Sequence, residues 1–272
     1  MSLEETKQLL RIHRISPNKL LGQNFMVEPS FYGKMCEYAA ICVSDRVLDV
    51  GAGFGFLSLF LADKCRAVIA IEKDPQVAKI LRGQVKAVGN VTVIEGDVFK
   101  TALPEFNKLI AIPPYYLSSH LVEWLLDCRI DCAVFIAQKE FAQRLNASPR
   151  SDDYGWLAVL TYQRMEVELL DEVPKTMFFP QPKVDSVIVR LKPWRKPRFE
   201  VRDEAFFKKL TKWLFTERNR KLAKALVPFF KINLQLSKKD AENLAATLPF
   251  HDNRVRELTP EQFGALENAI PR

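Results

Sequence analysis

The sequence predicts an α/β domain built on a mostly parallel sheet, followed by a small all-α C-terminal domain. Two observations carry this prediction. Short apolar runs alternate with helical patterns from Arg46 onward, which is typical of a parallel sheet covered by helices on both faces. Beyond residue 193 the periodicity is helical. The 272 residues are enough for one medium core and a smaller second one, since single cores usually hold about 100–200 residues.

Five short apolar runs are predicted to be the buried parallel strands, with helical spacing in segments between them, such as residues 75–88 and 118–127. In chain order the runs read R-V-L-D-V, A-V-I-A-I, V-T-V-I-E, K-L-I-A-I and C-A-V-F-I. Two later runs, M-E-V-E-L-L-D-E-V and S-V-I-V-R-L, have no long helix between them. They predict an antiparallel edge pair that closes the sheet.

The segment P-W-R-K-P-R at residues 193–198 interrupts this pattern with two prolines and three basic residues, as interdomain linkers do. It places the domain boundary near residue 193. We therefore expect a flexible N-terminal arm at residues 1–15, a first domain at residues 16–192 and a basic helical domain at residues 193–272.

The net charge of +7 is unevenly placed along the chain. Residues 1–192 carry 23 basic and 23 acidic side chains, whereas residues 193–272 carry 17 and 10, so the whole excess lies in the last segment. A basic segment can be an ordinary solvated surface. Its confinement to one domain favours a polyanionic partner, because phosphate neutralisation with counterion release dominates affinity for nucleic acids.

The composition argues against several classes of protein. No apolar run approaches the roughly 20 residues of a membrane-spanning helix, and the N-terminus lacks the apolar stretch of a signal peptide. We therefore expect a cytoplasmic protein without a membrane partner. The five cysteines form neither C-x-x-C pairs nor clusters with the three histidines, which predicts reduced packing residues and no metal site.

Three successive strand ends carry residues suited to a nucleotide-like ligand. The first strand runs into G-A-G-F-G at residues 51–55, where Gly51 and Gly53 allow a tight turn close to a ligand. Glu72 ends the second strand, where dinucleotide folds place an acceptor for ribose hydroxyls, and Asp97 follows the third. Each feature alone can be structural, as a tight turn or a solvated cap. Because the carboxyl ends of parallel strands share one edge of the sheet, together they predict a binding site there.

This arrangement resembles the Rossmann-like class I S-adenosylmethionine methyltransferases. In those enzymes the equivalent acids bind the ribose and the adenine amine of the cofactor. A hydride-transferring enzyme is a weaker alternative, since NAD sites more often contain the full G-x-G-x-x-G and position 56 here is Phe.

The fourth strand runs into I-P-P-Y-Y at residues 112–116. Pro113 and Pro114 fix an extended turn that exposes a backbone carbonyl and the ring of Tyr115. Such a turn suits a splayed purine, which stacks on the ring while its exocyclic amine donates to the carbonyl. In the alternative interpretation, Tyr115 and Tyr116 only pack against the sheet.

Six segments of the sequence stand in a characteristic order. They are K-L-L-G-Q-N-F at 19–25, D-V-G-A-G-F-G-F-L-S at 49–58, E-G-D at 95–97, P-P-Y-Y-L-S-S at 113–119, F-F-P-Q-P-K-V-D-S-V at 178–187 and R-N-R-K at 218–221. Over about residues 16–265 the sequence thereby resembles the KsgA family of ribosomal RNA small-subunit adenine dimethyltransferases. The first and fifth segments have no general reason to accompany a methyltransferase core, which makes the resemblance specific.

The resemblance implies roles for particular residues. The implied cofactor is S-adenosylmethionine, with contacts from Asn24, Met26, Gly51, Gly53, Glu72, Asp97 and Ile112. The implied catalytic residues are Ile112, Pro113, Pro114 and Tyr115, with Phe178 as the second of two rings that sandwich the target adenine. The basic C-terminal domain is implied to bind RNA, and the basic residues we assign to that contact are Arg218, Arg220, Lys221 and Lys224.

The implied enzyme dimethylates N6 of two adjacent adenosines near the 3′ end of small-subunit ribosomal RNA. We expect a monomer that acts on immature small subunits during ribosome biogenesis. One position departs from the family pattern, because members ordinarily have Asn where this chain has Ile112. The change removes a side-chain acceptor for the target amine, so the alternative is a ribosome-assembly factor of this family with weak or no methylation activity. Less favoured are a relative that modifies large-subunit RNA and a transcription-factor offshoot.

Overall fold

The computed structural model describes residues 2–18 and 22–271. The predicted fold class is confirmed, because a seven-stranded and mostly parallel sheet is combined with helices, and the C-terminal region is helical. The helices are α1 Leu3–Ile12, α2 Ser30–Tyr38, α3 Phe56–Ala62, α4 Pro75–Gln84, α5 Ser118–Leu125, α6 Lys139–Leu145, α7 Trp156–Arg164, α8 Glu204–Thr216, α9 Leu222–Asn233, α10 Lys238–Thr247 and α11 Pro260–Ala269. The strands are β1 Phe25–Met26, β2 Arg46–Val50, β3 Ala67–Glu72, β4 Val91–Glu95, β5 Lys108–Ala111, β6 Cys132–Gln138, β7 Met165–Val173, β8 Phe178–Phe179 and β9 Ser186–Pro193.

The large sheet has the strand order β4-β3-β2-β5-β6-β9-β7. Strands β4, β3, β2, β5 and β6 are paired in parallel, whereas β9 runs antiparallel to β6 and β7 lies beside β9 at the edge. The inner strands β2, β3, β5 and β6 are almost entirely buried, which explains why their sequences are continuous apolar runs. The strand order reverses between β2 and β5, and open α/β sheets bind ligands at such a reversal.

Residues Leu3–Ile12 form helix α1, so the expected flexible arm at residues 1–15 is wrong for this part of the chain. The Ser2 hydroxyl accepts from the Glu5 N–H and the Glu5 carboxylate accepts from the Ser2 N–H, which makes a capping box. Leu10 is buried and docks the helix into an apolar cluster. Its buried neighbours there are Phe54, Val77 and Ile80.

The chain divides into two compact units. The first comprises Met1–Ala142 with Val167–Pro193, and the second comprises Gln143–Glu166 with Trp194–Arg272. The second unit therefore includes a segment that the sequence analysis assigned to the first domain, residues 16–192. Within this unit α7 packs against α8 and α11, and the Tyr154 hydroxyl donates to the Leu258 carbonyl at 2.9 Å. The sequence did not predict that α7 belongs to the second unit, because its apolar spacing suits a sheet-covering helix equally well.

Free cysteines are distributed over the first unit. Cys36, Cys65 and Cys132 are buried in one large apolar cluster, Cys128 is half-buried and Cys42 is exposed. The three buried thiols serve packing, as the sequence analysis expected. Among the helices of the described ranges, none is both long and apolar enough to span a membrane.

Candidate active site

An open cavity of about 820 Å³ lies in the first unit at the carboxyl ends of β2, β3, β4 and β5. It is the place where the strand order reverses. The structure brings most of the predicted cofactor and substrate residues to its wall. These are Asn24, Gly51, Gly53, Glu72, Asp97, Ile112, Pro113, Pro114, Tyr115 and Phe178. Met26 instead lines a smaller cavity of about 400 Å³, whose wall also includes Asn24, Gly51, Gly53 and Ile112.

The turn after β2 needs glycine at two positions for steric reasons. Gly51 has φ +72°, and a Cβ atom there would lie 2.9 Å from Cδ of Pro114. Gly55 has φ +91°, and its Cβ would lie 2.4 Å from a methyl carbon of Leu81. A side chain at either position would therefore be strained and would collide with the cavity wall or with α4.

Glu72 ends β3 with its carboxylate held by two backbone N–H groups. Oε2 accepts from Gly53 at 2.9 Å and Oε1 accepts from Asp74 at 2.9 Å. Burial raises the pKa of Glu72, while these hydrogen bonds lower it in part. The carboxylate is therefore fixed against the glycine turn, with lone pairs left for a ligand.

Asp97 follows β4 and forms an ion pair at the cavity wall. Its Oδ2 lies 3.1 Å from Nζ of Lys73, and its Oδ1 accepts from the Phe99 N–H at 3.1 Å. Burial by itself would raise the pKa of Asp97, but the Phe99 hydrogen bond and the Lys73 charge outweigh it and lower the pKa. Asp97 is thus an ionised acceptor at neutral pH. Lys73, which the sequence analysis did not single out, also lines the cavity.

Tyr115 and Phe178 meet at the cavity as an edge-to-face pair. Their ring centroids are 6.4 Å apart and the planes are inclined by 72°. The Tyr115 hydroxyl lies 2.6 Å from Oγ of Ser186, which is buried at the start of β9, and burial raises the pKa of Tyr115. The two rings are therefore neighbours but not parallel plates, so a planar base between them requires one ring to rotate.

A short antiparallel sheet joins two segments that are far apart in the sequence. In it β1 pairs with β8, so that Phe25 faces Phe179 and Met26 faces Phe178. The Phe25 ring stacks on Phe54 with centroids 4.4 Å apart. This pairing places the Q-N-F segment beside the F-F-P segment. Residues 19–21 of the first motif lie outside the described residues.

Ile112 follows β5 and lines both cavities. Its side chain is half-buried and packs against the large apolar cluster. It offers no hydrogen-bond acceptor to the cavity.

Asp49 is a cavity residue that the sequence analysis missed. It lies in β2, is 1% exposed, and lines the smaller cavity. Burial raises the pKa of its carboxyl to about 7; the hydrogen bond from the Ser58 hydroxyl, 2.7 Å long, opposes this rise, and the charge of Glu72 adds to it. The signal in the sequence was an acid within the otherwise apolar strand V-L-D-V.

The predicted RNA-binding residues lie in the second unit, and three of them are bonded within it. Arg218 donates to the carbonyls of Asp152 at 2.7 Å and Ser151 at 2.9 Å. Arg220 and Lys221 form exposed ion pairs with Glu217 and Asp252, at 3.2 and 3.0 Å. Lys224 is exposed. The sequence pattern identified a basic surface but not these internal partners.

Comparison with known proteins gives concordant results. The model of the family described as ribosomal RNA adenine dimethylase matches residues 15–260. The probable ribosomal RNA small subunit methyltransferase A of Methanothermobacter thermautotrophicus is 37% identical over 263 residues, which cover 95% of this chain and 93% of that protein. The protein of the same description from Methanosarcina acetivorans is 35% identical over 250 residues, 91% of each chain.

Two crystal structures extend the similarity to the fold. A dimethyladenosine transferase from Plasmodium falciparum is 27% identical with a TM-score of 0.74, over 89% of this chain and 95% of that one. The 23S rRNA methyltransferase ErmE is 29% identical with a TM-score of 0.63, over 90% of this chain and 99% of that one. Both similarities extend over about nine tenths of this chain.

Proposed function

The chain belongs to the ribosomal RNA adenine dimethylase family, and from this premise we propose that it dimethylates N6 of two adjacent adenosines near the 3′ end of small-subunit ribosomal RNA. The methyl donor is S-adenosylmethionine. The protein acts as a cytoplasmic monomer on immature small subunits, with its catalytic site in the first unit and RNA contacts in the basic second unit. The observation that carries this proposal is the convergence of four strand ends, two acids and two aromatic rings on one cavity.

The cavity fits the proposed cofactor in the set of acceptors on its wall. The backbone at Gly51 leaves space that a Cβ atom would occupy. Glu72 would accept from the ribose hydroxyls and Asp97 from the adenine amine, since both are acceptors at the strand ends. When bound, S-adenosylmethionine supplies an electrophilic methyl group.

The substrate side of the reaction depends on the loop after β5. Tyr115 and Phe178 hold the target adenine on its faces, and the Pro113 carbonyl accepts one hydrogen of its exocyclic amine. The lone pair of that amine is delocalised into the purine ring. An acceptor that fixes the amine and favours its tetrahedral geometry therefore matters more than a strong base.

A second candidate function rests on Ile112, the position where the family pattern has Asn. A family member with this cavity and RNA surface but without the side-chain acceptor would be a ribosome-assembly factor that methylates slowly or not at all. Both candidates require the cofactor site and the RNA-binding surface, so binding experiments do not separate them. The amount of methyl group transferred does.

The test is incubation with immature small subunits and labelled S-adenosylmethionine, followed by mass spectrometry of the digested RNA. We expect dimethyladenosine at two adjacent positions of the small-subunit RNA. Binding of cofactor and subunits without methyl transfer would favour the assembly factor. Transfer only to large-subunit RNA would contradict the proposed substrate.

The cofactor assignment has its own test in Glu72→Ala and Asp97→Ala. A charge-assisted hydrogen bond contributes about 1.5–3 kcal/mol, so each variant should bind S-adenosylmethionine roughly tenfold more weakly or worse in calorimetry. Glu95→Ala is the matched control, because Glu95 ends the neighbouring strand β4, pairs with Arg82 and does not line the cavity. Thermal unfolding of each variant checks that it is folded. Unchanged affinity in both Glu72→Ala and Asp97→Ala would remove the assignment.

A further inference from the structure

The segment Trp194–Arg198, which the sequence analysis interpreted as part of a linker, is bonded along the end of α7. The Trp194 N–H donates to the Arg164 carbonyl at 2.9 Å, and the Arg198 N–H donates to the Gln163 carbonyl at 3.0 Å. The Trp194 indole N–H donates to the Tyr162 carbonyl at 3.3 Å. We call this segment the strap. All of its partners belong to the second unit.

The strap fixes the guanidinium of Arg198 over two aromatic rings. Its central carbon lies 4.4 Å from the centroid of the Tyr162 ring and 4.5 Å from the centroid of the Trp194 ring. The Tyr162 ring is itself fixed, since its hydroxyl donates to the Glu261 carboxylate at 2.6 Å. Cation–π contacts of this kind hold the plane of a guanidinium without using its N–H donors.

The donors of Arg198 are available to a ligand. Within residues 2–18 and 22–271, its exposed guanidinium makes no hydrogen bond or ion pair with another side chain or with the backbone. This contrasts with Arg218, which gives two hydrogen bonds to carbonyl oxygens of its own unit. An arginine held by ring contacts keeps its N–H donors, a planar fork that matches the oxygens of a phosphate group.

Two further cations of the strap precede this arginine in the sequence. Arg195 and Lys196 are exposed, and in the described part of the chain neither has an ion-pair partner. Glu261 is a nearby opposing charge, and the Tyr162 hydroxyl occupies one of its oxygens. The strap thus carries three cations whose charge is not neutralised by direct pairing.

We infer that the strap is a phosphate-binding site for the backbone of ribosomal RNA, with Arg198 as a preoriented bidentate donor and Arg195 and Lys196 as flanking charges. The inference rests on the proposed function for the identity of the RNA. The simpler explanation is that Arg198 only fastens the strap to α7. The two explanations differ in what removal of the charge does to the salt dependence of RNA binding.

The experiment measures binding of the full-length protein to small-subunit ribosomal RNA transcribed in vitro, at several salt concentrations. Log affinity falls as log salt rises. Arg198→Gln should make this slope less steep by about 0.7–0.9, the value for removal of one phosphate contact. The double variant Arg195→Ala with Lys196→Ala should reduce the steepness of the slope more than Arg198→Gln does, while leaving the rings and Arg198 in place. Arg198→Lys keeps the charge but not the fork, so it should retain the slope and bind more weakly at each salt concentration.

Lys239→Ala is the control, because it removes from α10 of the same unit one exposed charge that has no ion-pair partner among the described residues. Its slope should equal that of the wild type. Thermal unfolding identifies any variant that is partly unfolded at the assay temperature. If Arg198→Gln is partly unfolded, the Arg195–Lys196 double variant tests whether the strap binds phosphate, because it breaks none of the strap contacts described above. Wild-type slopes in Arg198→Gln and in the double variant would overturn the inference. A slope change confined to the double variant would overturn the role of Arg198. Failure of the wild type to bind this RNA and to methylate immature small subunits would count against the proposed function instead.

Discussion

At residue 112 an isoleucine side chain lines the cavity where the family pattern has an Asn acceptor. In the proposed substrate arrangement, one hydrogen of the target amine faces a branched alkyl group, and the Pro113 carbonyl remains for the other. Loss of a positioned hydrogen bond reduces rates by about 10²–10³ where charge develops, and here the charge change is smaller and water can substitute. We therefore expect an impairment of roughly 10–10²-fold, and Ile112→Asn should raise the rate or the fraction of doubly methylated adenosine.

The measurement is the time course of methyl transfer to matched immature subunits at saturating cofactor. Ile112→Val is the control, because it changes the side-chain volume without adding an acceptor, and it should give no gain. Tyr115→Ala should abolish activity by removing the stacking surface. Rapid and complete dimethylation by the native protein, with no gain in Ile112→Asn, would show that another group supplies the acceptor.

Asp49 gives the protein a predictable dependence of stability on pH. Its pKa is about 7 in the folded state and about 3.9 in an unfolded chain. Between these two pH values Asp49 is protonated in the folded state and ionised in the unfolded chain. The free energy of unfolding therefore falls as the pH rises from about 4 to 7. Asp49→Asn removes that effect. We expect the variant to melt above the wild type at pH 8, with the difference shrinking steadily as the pH falls towards about 4.

Asp45→Asn should show the opposite sign. Burial would raise the pKa of Asp45, but hydrogen bonds from Asn107 and Lys108 outweigh it and lower the pKa. Its ionised form therefore stabilises the fold above the unfolded pKa, and Asn should melt below the wild type at pH 8. Calorimetry across this pH range tests both variants. A difference between Asp49→Asn and the wild type that does not change with pH would contradict the role given to burial.

The sequence predicted cavity residues well where their position follows from a strand end. Glu72 is the last residue of a parallel strand, Asp97 and Tyr115 follow the ends of two others closely, and the carboxyl ends of such strands meet at one edge. Asp49 and Lys73 were missed for different reasons. Asp49 lies within a strand, so its exposure to a cavity depends on local packing, and the contact of Lys73 with Asp97 depends on the path of a long flexible side chain.

Two short elements illustrate what the pattern of apolar residues cannot predict. Strands β1 and β8 are two residues each, too short for any periodicity, and their pairing joins segments about 150 positions apart. Helix α1 has mixed charges, and its segment was predicted to be a flexible arm. Its capping box was visible in the sequence as Ser2 followed by Glu5, which indicates a helix start. The docking site of the helix was not visible, because it is formed by distant residues.

Helix α1 should contribute measurably to stability through Leu10, which is 6% exposed among apolar side chains of the first unit. Leu10→Ala leaves a cavity and should lower the free energy of unfolding by about 2–5 kcal/mol. Ile12→Ala on the same helix is the control, because Ile12 is 62% exposed and its truncation should change stability by less than about 0.5 kcal/mol. Urea unfolding measures both. Equal small effects would mean that α1 is not firmly docked.

For the molecule as a whole, the sequence located the charge excess but not its accessibility. All of the net +7 lies in residues 193–272, yet several of these cations are bonded within the second unit. Arg218 holds two backbone carbonyls, so replacing it would disturb the fold as well as the charge. The ion pairs of Arg220 and Lys221 are exposed and contribute little to stability, so phosphate groups can replace Glu217 and Asp252 at little cost.

The basic surface of the second unit is therefore best tested with Arg218 left intact. The measured quantity is the slope of log affinity for immature small subunits against log salt. We expect the triple variant Arg220→Ala, Lys221→Ala and Lys224→Ala to make this slope less steep, by about 0.7–0.9 for each phosphate group no longer bound. A second triple variant, Lys209→Ala, Lys238→Ala and Lys239→Ala, removes the same charge from exposed positions of the same unit and should keep a slope near that of the wild type. Because the two variants have equal net charge, long-range attraction is matched between them, and any difference in slope reports direct binding of phosphates. Equal slopes in the two variants would mean that residues 220–224 are an ordinary solvated face.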